Sequence, residues 1–212
     1  MSLLLVDRFH PHLRHEVQAV IDAGRLRKRD ELALFAEEQM LPLARLSLLL
    51  FVIGGMFFII LDLALYAWRM YTPAVSLTFG GVLLWIGANI LGYLVILPIH
   101  EAIHGLAFAF WGGRPHFGTK LPLALYCGAK GQVFRRDQYL VVGLAPLLVI
   151  TLAAIILTLF WPAFASYTIL ASAGNIAGAA GDIMVVARLL RLPRHILVED
   201  SETGYRAWEI FA

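Results

Sequence analysis

The chain has 212 residues, 60% of them hydrophobic and only 15% charged, with a mean hydropathy of +0.76; an apolar share this far above one half sets aside an ordinary soluble domain and places most of the chain in a bilayer. A formal net charge of +2, with basic residues gathered beside apolar segments, argues against nucleic acid as a partner. The single cysteine, Cys127, sets aside an internal disulfide and a cysteine-rich metal site, which leaves histidine and carboxylate as the available ligands.

Residues 1–43 carry six basic and seven acidic residues, with Leu13, Val17, Val20 and Ile21 at helical spacing. They predict two short amphipathic helices outside the membrane, joined around Arg25, Arg27, Lys28 and Arg29, with Asp30 as N-cap of the second. The opening MSLLLVDRFHPHLRHE has too short an apolar run for a cleaved signal peptide. His10, His12 and His15 are interrupted by Pro11 and read as surface residues.

Four apolar runs follow. The first, Leu46 to about Ala67, holds one charge, Asp62, which reads as an interfacial carboxylate near an aromatic belt of Tyr66, Trp68 and Tyr71. The second, about Val75 to Leu97, continues through Pro98, expected to kink or restart the helix, and on to Phe110. Residues 111–138 are rich in glycine and basic residues. Short β-like runs around Leu121–Tyr126 and Gln132–Phe134 predict a hairpin whose edge could hold an extended peptide; His116 and Cys127 lack partners at ligand spacing. The third and fourth runs cover about Tyr139–Trp161 and Tyr167–Leu190, and residues 192–212 form a tail with the outline of a strand or hairpin. Seven basic residues precede the first span, five lie between the second and third, and four follow from Arg188, against Arg69 alone on the other side. Both termini are thus predicted to be cytoplasmic.

The chemistry lies at the end of the second run, in His100-Glu101-Ala102-Ile103-His104. Four residues apart on a helix, the two imidazoles share a face and can reach one ion, the pattern of a zinc-ligand pair. Glu101 beside them is placed to take a proton from water and return it to a leaving amine. Hydrogen-bonded helix histidines are the plainer alternative. A catalytic zinc site needs a third protein ligand, and the fourth run offers one acidic residue, Asp182, costly in apolar surroundings unless paired or bound to a cation. Asp182 and His100 both fall toward the cytoplasmic ends of their spans; a hydrogen bond to backbone or Arg188 would also explain the aspartate. Asn175, two turns earlier and on the face of Asp182, is a candidate donor to a peptide carbonyl or an oxyanion, or else an interhelical hydrogen bond. Gly174, Gly178 and Gly181 would let this helix approach a neighbour closely.

His100-Glu101-x-x-His104-Gly105 on a second span, a glycine-rich hairpin loop, Pro146 early in the third span, and Asn175 with Gly181-Asp182 on the last resemble the compact bacterial zincin peptidases, relatives of the site-2 intramembrane metalloproteases. The resemblance covers roughly residues 85–205. It implies His100, His104 and Asp182 as ligands of Zn2+ and Glu101 as catalytic base. The chain departs from site-2 proteases in lacking a proline between the asparagine and the aspartate, in placing glycine before the aspartate where they have it after, and in having no PDZ-like module.

The expectation is therefore an all-α membrane protein of about four transmembrane helices, with a small cytoplasmic β-hairpin loop and short amphipathic N-terminal helices. Residues 1–43 form a cytoplasmic segment, 44–191 the four-span core and 192–212 a cytoplasmic tail, in a bacterial cytoplasmic membrane. The expected function is zinc-dependent cleavage of peptide bonds in membrane or membrane-adjacent proteins, with Glu101 and Asn175 catalytic, the lipid bilayer as surroundings and no nucleic acid. The alternative is a non-catalytic zinc-binding membrane scaffold or regulator.

Overall fold

The computed structural model describes residues 3–69, 78–120, 124–201 and 203–211. The chain is 66% helical and also carries β-sheet. Four helical stretches, Glu37–Trp68, Phe79–Phe110, Arg136–Phe160 and Pro162–Leu189, are long and apolar enough to cross a membrane. The elements in order are β1 (Leu4–Leu5), α1 (Pro11–Asp22), β2 (Leu26–Ala33), α2 (Glu37–Arg69), α3 (Phe79–Phe110), β3 (His116–Lys120), β4 (Ala124–Gly128), β5 (Gln132–Arg135), α4 (Arg136–Phe160), α5 (Pro162–Ala165), a 3-10 turn at Ser166–Thr168, α6 (Ile169–Gly178), α7 (Ala180–Leu189), β6 (Leu197–Asp200) and β7 (Gly204–Ile210). Two compact units divide the chain: residues 1–43, 101–145 and 181–212 in one, residues 44–100 and 146–180 in the other.

The first unit is built on a five-stranded sheet, ordered β1-β5-β6-β7-β2, which corrects the all-α expectation. Its buried side is aliphatic and aromatic: Val6, Phe134, Val198, Tyr205 and Ala207 pack with Phe108 of α3, Val142 of α4 and Leu189 of α7. The tail forms the β6–β7 hairpin anticipated for it.

The second predicted N-terminal helix is instead strand β2. Its sequence LRKRDELA has little strand propensity of its own, so the pairing partner decides. Opposite it on β7, Arg206 faces Glu31 and Glu209 faces Arg27, with ion pairs of 3.0 and 3.3 Å. Such cross-strand pairs contribute roughly 0.2–1 kcal/mol each. Asp30 is correspondingly no helix cap; it accepts from the Arg188 guanidinium and the Tyr205 hydroxyl. At Gly204 the backbone takes φ +154, and a Cβ there would run into the Leu32 carbonyl of β2.

A separate two-stranded sheet pairs β3 with β4. The predicted hairpin exists, but the run at Gln132–Phe134 is not its second arm; as β5 it joins β1 and β6 in the larger sheet. Leu121–Leu123 lie outside the described residues, as do Tyr71 and the start of the predicted second span, Val75–Leu77.

In the second unit, α2 and α3 expose aliphatic side chains over much of their surface, among them Leu48, Ile60, Leu63, Leu84, Leu91 and Leu94 at 57–65%. Surfaces of that kind call for hydrocarbon. Asp62, expected at an aqueous interface, is only 6% exposed and shares a buried stripe with Phe58 and Leu65. The fourth span is segmented: the predicted link after Trp161 is helix α5 followed by the 3-10 turn. Side chains of α3 satisfy the irregular backbone there, as apolar surroundings require. Trp85 Nε1 and Asn89 Nδ2 donate to the Ser166 carbonyl at 2.9 and 3.2 Å, while Asn89 Oδ1 accepts from the Leu170 amide at 3.0 Å. Glycine permits close packing here, since a Cβ at Gly174 would run into the Tyr93 ring and one at Gly54 would lie 2.9 Å from Ile176. Gly178 differs, because a Cβ there would meet nothing within 4 Å.

Candidate metal centre

Helix α3 continues through Pro98 without a break, so His100 and His104 occupy successive turns of one face. Both are buried, at 6% and 8% exposure. Each has its Nδ1 engaged by an oxygen. Asn175 Oδ1 lies 3.0 Å from His100 Nδ1, and the Val142 carbonyl lies 2.9 Å from His104 Nδ1. Both partners are acceptors, so each imidazole donates from Nδ1 and, in its neutral form, offers its lone pair on Nε2. That is the tautomer a metal ligand needs, fixed by the kind of outer partner that metal-bound histidines use.

The Val142 carbonyl is available for a local reason. In a helix it would accept from the amide four residues on, but that residue is Pro146, which has none. The proline thus frees one backbone acceptor inside an apolar helix, and His104 takes it. Pro146 is itself among the most completely buried residues.

Asp182 enters through a break. A turn at Ala179 separates α6 from α7, so Asp182 occupies the first turn of α7, where the helix dipole favours a carboxylate. Asn175 and Asp182 therefore belong to successive helices, α6 and α7, of one helical stretch. Asp182 Oδ2 is 3.4 Å from His104 Nε2. Two donors each about 2.1 Å from a tetrahedrally bound zinc are about 3.4 Å apart, so the spacing suits ligands of one ion. Ligand atoms of His100, His104 and Asp182 all lie within 4.8 Å of one another, a group that could hold a metal. Two neutral imidazoles and one carboxylate are a donor set for catalytic zinc, with a fourth position left for water or substrate.

Glu101 is half-buried. Its charge reaches the Cys127 thiol on β4, which burial first, and then Glu101 and Asp200, push up to about 12. Cys127 therefore stays a protonated thiol at neutral pH, in keeping with its reading as a non-ligand. The β3–β4 sheet approaches the motif closely: a Cβ at Gly105 would sit 2.7 Å from the Phe117 ring and 3.4 Å from Cys127 Sγ. Glycine directly after His104 makes that approach possible.

Asn175 is 2% exposed, and both ends of its amide are engaged: Oδ1 with His100, Nδ2 with Thr151 Oγ1 at 3.4 Å. His10, His12 and His15 are exposed, as expected. Sequence reasoning missed Val142 and Thr151 as site residues and saw Pro146 only as part of a resemblance. The readable signal was a proline four residues after a carbonyl in a helix otherwise suited to a bilayer.

Helices of this length and apolarity are consistent with a membrane protein, and His100 and His104 of α3 with Asp182 of α7 form a group that could hold a metal. Residues 93–197 match the model of the family described as "Putative zincin peptidase", and the matched segment contains all three candidate ligands and Glu101. No curated protein and no solved structure matches the chain.

Proposed function

We propose that this chain is a zinc-dependent membrane endopeptidase of the site-2-protease kind, with His100, His104 and Asp182 as the metal ligands and Glu101 as general base and then general acid. The observation that carries the reading is the pair of histidines whose Nδ1 atoms are both committed to oxygen acceptors while an aspartate stands 3.4 Å from His104 Nε2. Zinc bound there would supply Lewis acidity and lower the pKa of a water to about 7. Glu101 accepts the proton of the attacking water and delivers it to the departing amine. Asn175, with both ends of its amide engaged within the protein, is assigned as a positioning residue that orients His100.

The substrates are peptide bonds of membrane or membrane-adjacent proteins. An edge of the two-stranded β3–β4 sheet next to the motif, which pairs with no further strand among the described residues, supports an extended substrate strand held by main-chain hydrogen bonds. A helical substrate must unwind first, because helical hydrogen bonds shield its carbonyls. We place the protein in a bacterial cytoplasmic membrane with both termini in the cytoplasm.

The test is to purify wild type and Glu101→Gln, measure zinc per chain, and follow cleavage of co-expressed single-span membrane proteins. The expected result is equal zinc and loss of cleavage in the variant. Zinc retention with no cleavage by wild type across such substrates would leave a scaffold that binds metal, and cleavage that survives Glu101→Gln would remove the assigned acid-base.

A further inference from the structure

We propose that the cavity between the N-terminal segment and the end of α3 binds the phosphate of an anionic phospholipid. The proposal rests on α3 spanning the bilayer and is independent of the metal chemistry.

The cavity has a volume of about 350 Å³ and is walled by Leu4–Arg8, the start of α1, Trp111, Gly112, Arg114 and Gln132. Arg8, Arg14 and Arg114, all three exposed, are among its lining residues, and none is in an ion pair among the described residues. The carboxylate in the wall does not balance them. Asp7 is fully buried, its Oδ2 paired with Arg135 at 2.7 Å and its Oδ1 accepting from the Phe9 and His10 amides at 3.2 and 3.1 Å. Cations converging on a concave site repel one another until an anion enters, and the fork of arginine matches phosphate oxygens in particular.

Specific backbone contacts hold the walls. Gly112, at φ +93, turns the chain at the end of α3, where a Cβ would come within 3.1 Å of the Arg8 Cβ; the Arg8 amide donates to the Trp111 carbonyl at 3.1 Å. Gln132 grips Arg114 at both its amide and its carbonyl, each at 2.8 Å. Trp111, another lining residue, has an indole N–H that is buried without an acceptor among the described residues.

Height decides between lipid and soluble anion. The apolar run of α3 ends at Phe110, and the rings of Phe9, Phe110 and Trp111 cluster there with centroids 5.2–5.6 Å apart. Aromatic side chains at the end of a span mark the headgroup level. Phe9 and Phe110 are 50% and 57% exposed, and Leu13 on α1 is 43% exposed. Apolar rings next to unpaired arginines form a surface that an acyl chain and its phosphate cover together.

The test titrates the full chain in neutral detergent with phosphatidylglycerol or phosphatidylcholine, reading bound lipid by native mass spectrometry in wild type and in the triple variant Arg8→Gln, Arg14→Gln, Arg114→Gln. Wild type is expected to prefer phosphatidylglycerol, and the triple variant to bind it roughly 100-fold more weakly. Should the triple variant not fold, Arg114→Gln alone is expected to weaken binding roughly fivefold. Unchanged phosphatidylglycerol binding in either variant overturns the proposal. Millimolar inorganic phosphate is the second arm: failure to displace the lipid supports a membrane source, and displacement that depends on the arginines assigns the cavity to a soluble anion and overturns the lipid.

Discussion

His100 and His104 stand one turn apart on the same helix, equally buried, yet they are held by different kinds of oxygen: a side-chain amide from Asn175 and a backbone carbonyl at Val142. The first depends on the identity of one residue and vanishes with it. The second cannot be deleted, because every residue brings the same carbonyl; it depends on what fails to compete for it, and the missing competitor is the amide that Pro146 lacks. One histidine is therefore sensitive to its partner, the other to a residue that never touches it.

The largest expected effect lies with neither outer partner. Asp182→Ala removes the proposed third ligand, common to both halves of the comparison, and zinc affinity should fall by more than the roughly 100-fold ceiling for outer-partner changes. Metal analysis after dialysis against a buffered chelator reads it directly. Zinc content equal to wild type would take Asp182 out of the ligand set while leaving the histidines in it.

Asn175→Ala comes next. Freed of its acceptor, the His100 ring can rotate or switch tautomer, so zinc affinity should fall by roughly 10- to 100-fold. Cleavage at saturating zinc should recover most of its wild-type rate if Asn175 only positions the ring. A loss of rate that zinc does not rescue would return Asn175 to contact with the substrate.

Pro146→Ala sharpens the contrast because its two effects have opposite signs. An amide restored at 146 closes the α4 hydrogen bond to Val142, and removal of an interior proline stabilises the helix by up to about 3 kcal/mol. The same bond competes with His104 Nδ1–H, so zinc affinity should fall several-fold as Tm rises, by less than for Asn175→Ala because a carbonyl can accept twice. Thermal denaturation of the metal-free chain with a competition titration separates the two. A higher Tm with unchanged affinity would make the proline's role purely structural.

What could be read in advance follows the range of the interactions. The four spans and the His100/His104 pair were legible because apolar runs and i, i+4 spacing are local properties of the chain. Asp182 was legible as a lone acid in an apolar run. The sheet was not: β2 is a strand because Glu31 faces Arg206 and Arg27 faces Glu209, partners separated by 175 and 182 residues, and nothing inside LRKRDELA announces them. A helical reading of that segment followed from its charges and from a capping aspartate, and long-range pairing overrode both. The break at Ala179 escaped notice for a related reason, since alanine and glycine there favour neither continuation nor a stop strongly enough to decide. Pro146 is the instructive case in between. Its consequence for the Val142 carbonyl is local and readable, whereas the imidazole that uses it lies 38 residues earlier.

The smallest effect tests how far the side-chain arm of the comparison extends. Thr151 Oγ1 accepts from Asn175 Nδ2 at 3.4 Å, a long and correspondingly weak bond. Thr151→Val keeps the shape and removes the acceptor. If the amide is held mainly by His100, zinc affinity should drop only about two- to fivefold, the equivalent of a net hydrogen bond of about 0.5–1 kcal/mol. If the threonine instead sets which end of the Asn175 amide faces the imidazole, its loss lets the amide turn over and present its NH2 to His100 Nδ1, and affinity should fall as far as in Asn175→Ala. A competition titration of the two variants side by side therefore tells whether orientation at His100 ends with one residue or is relayed through two.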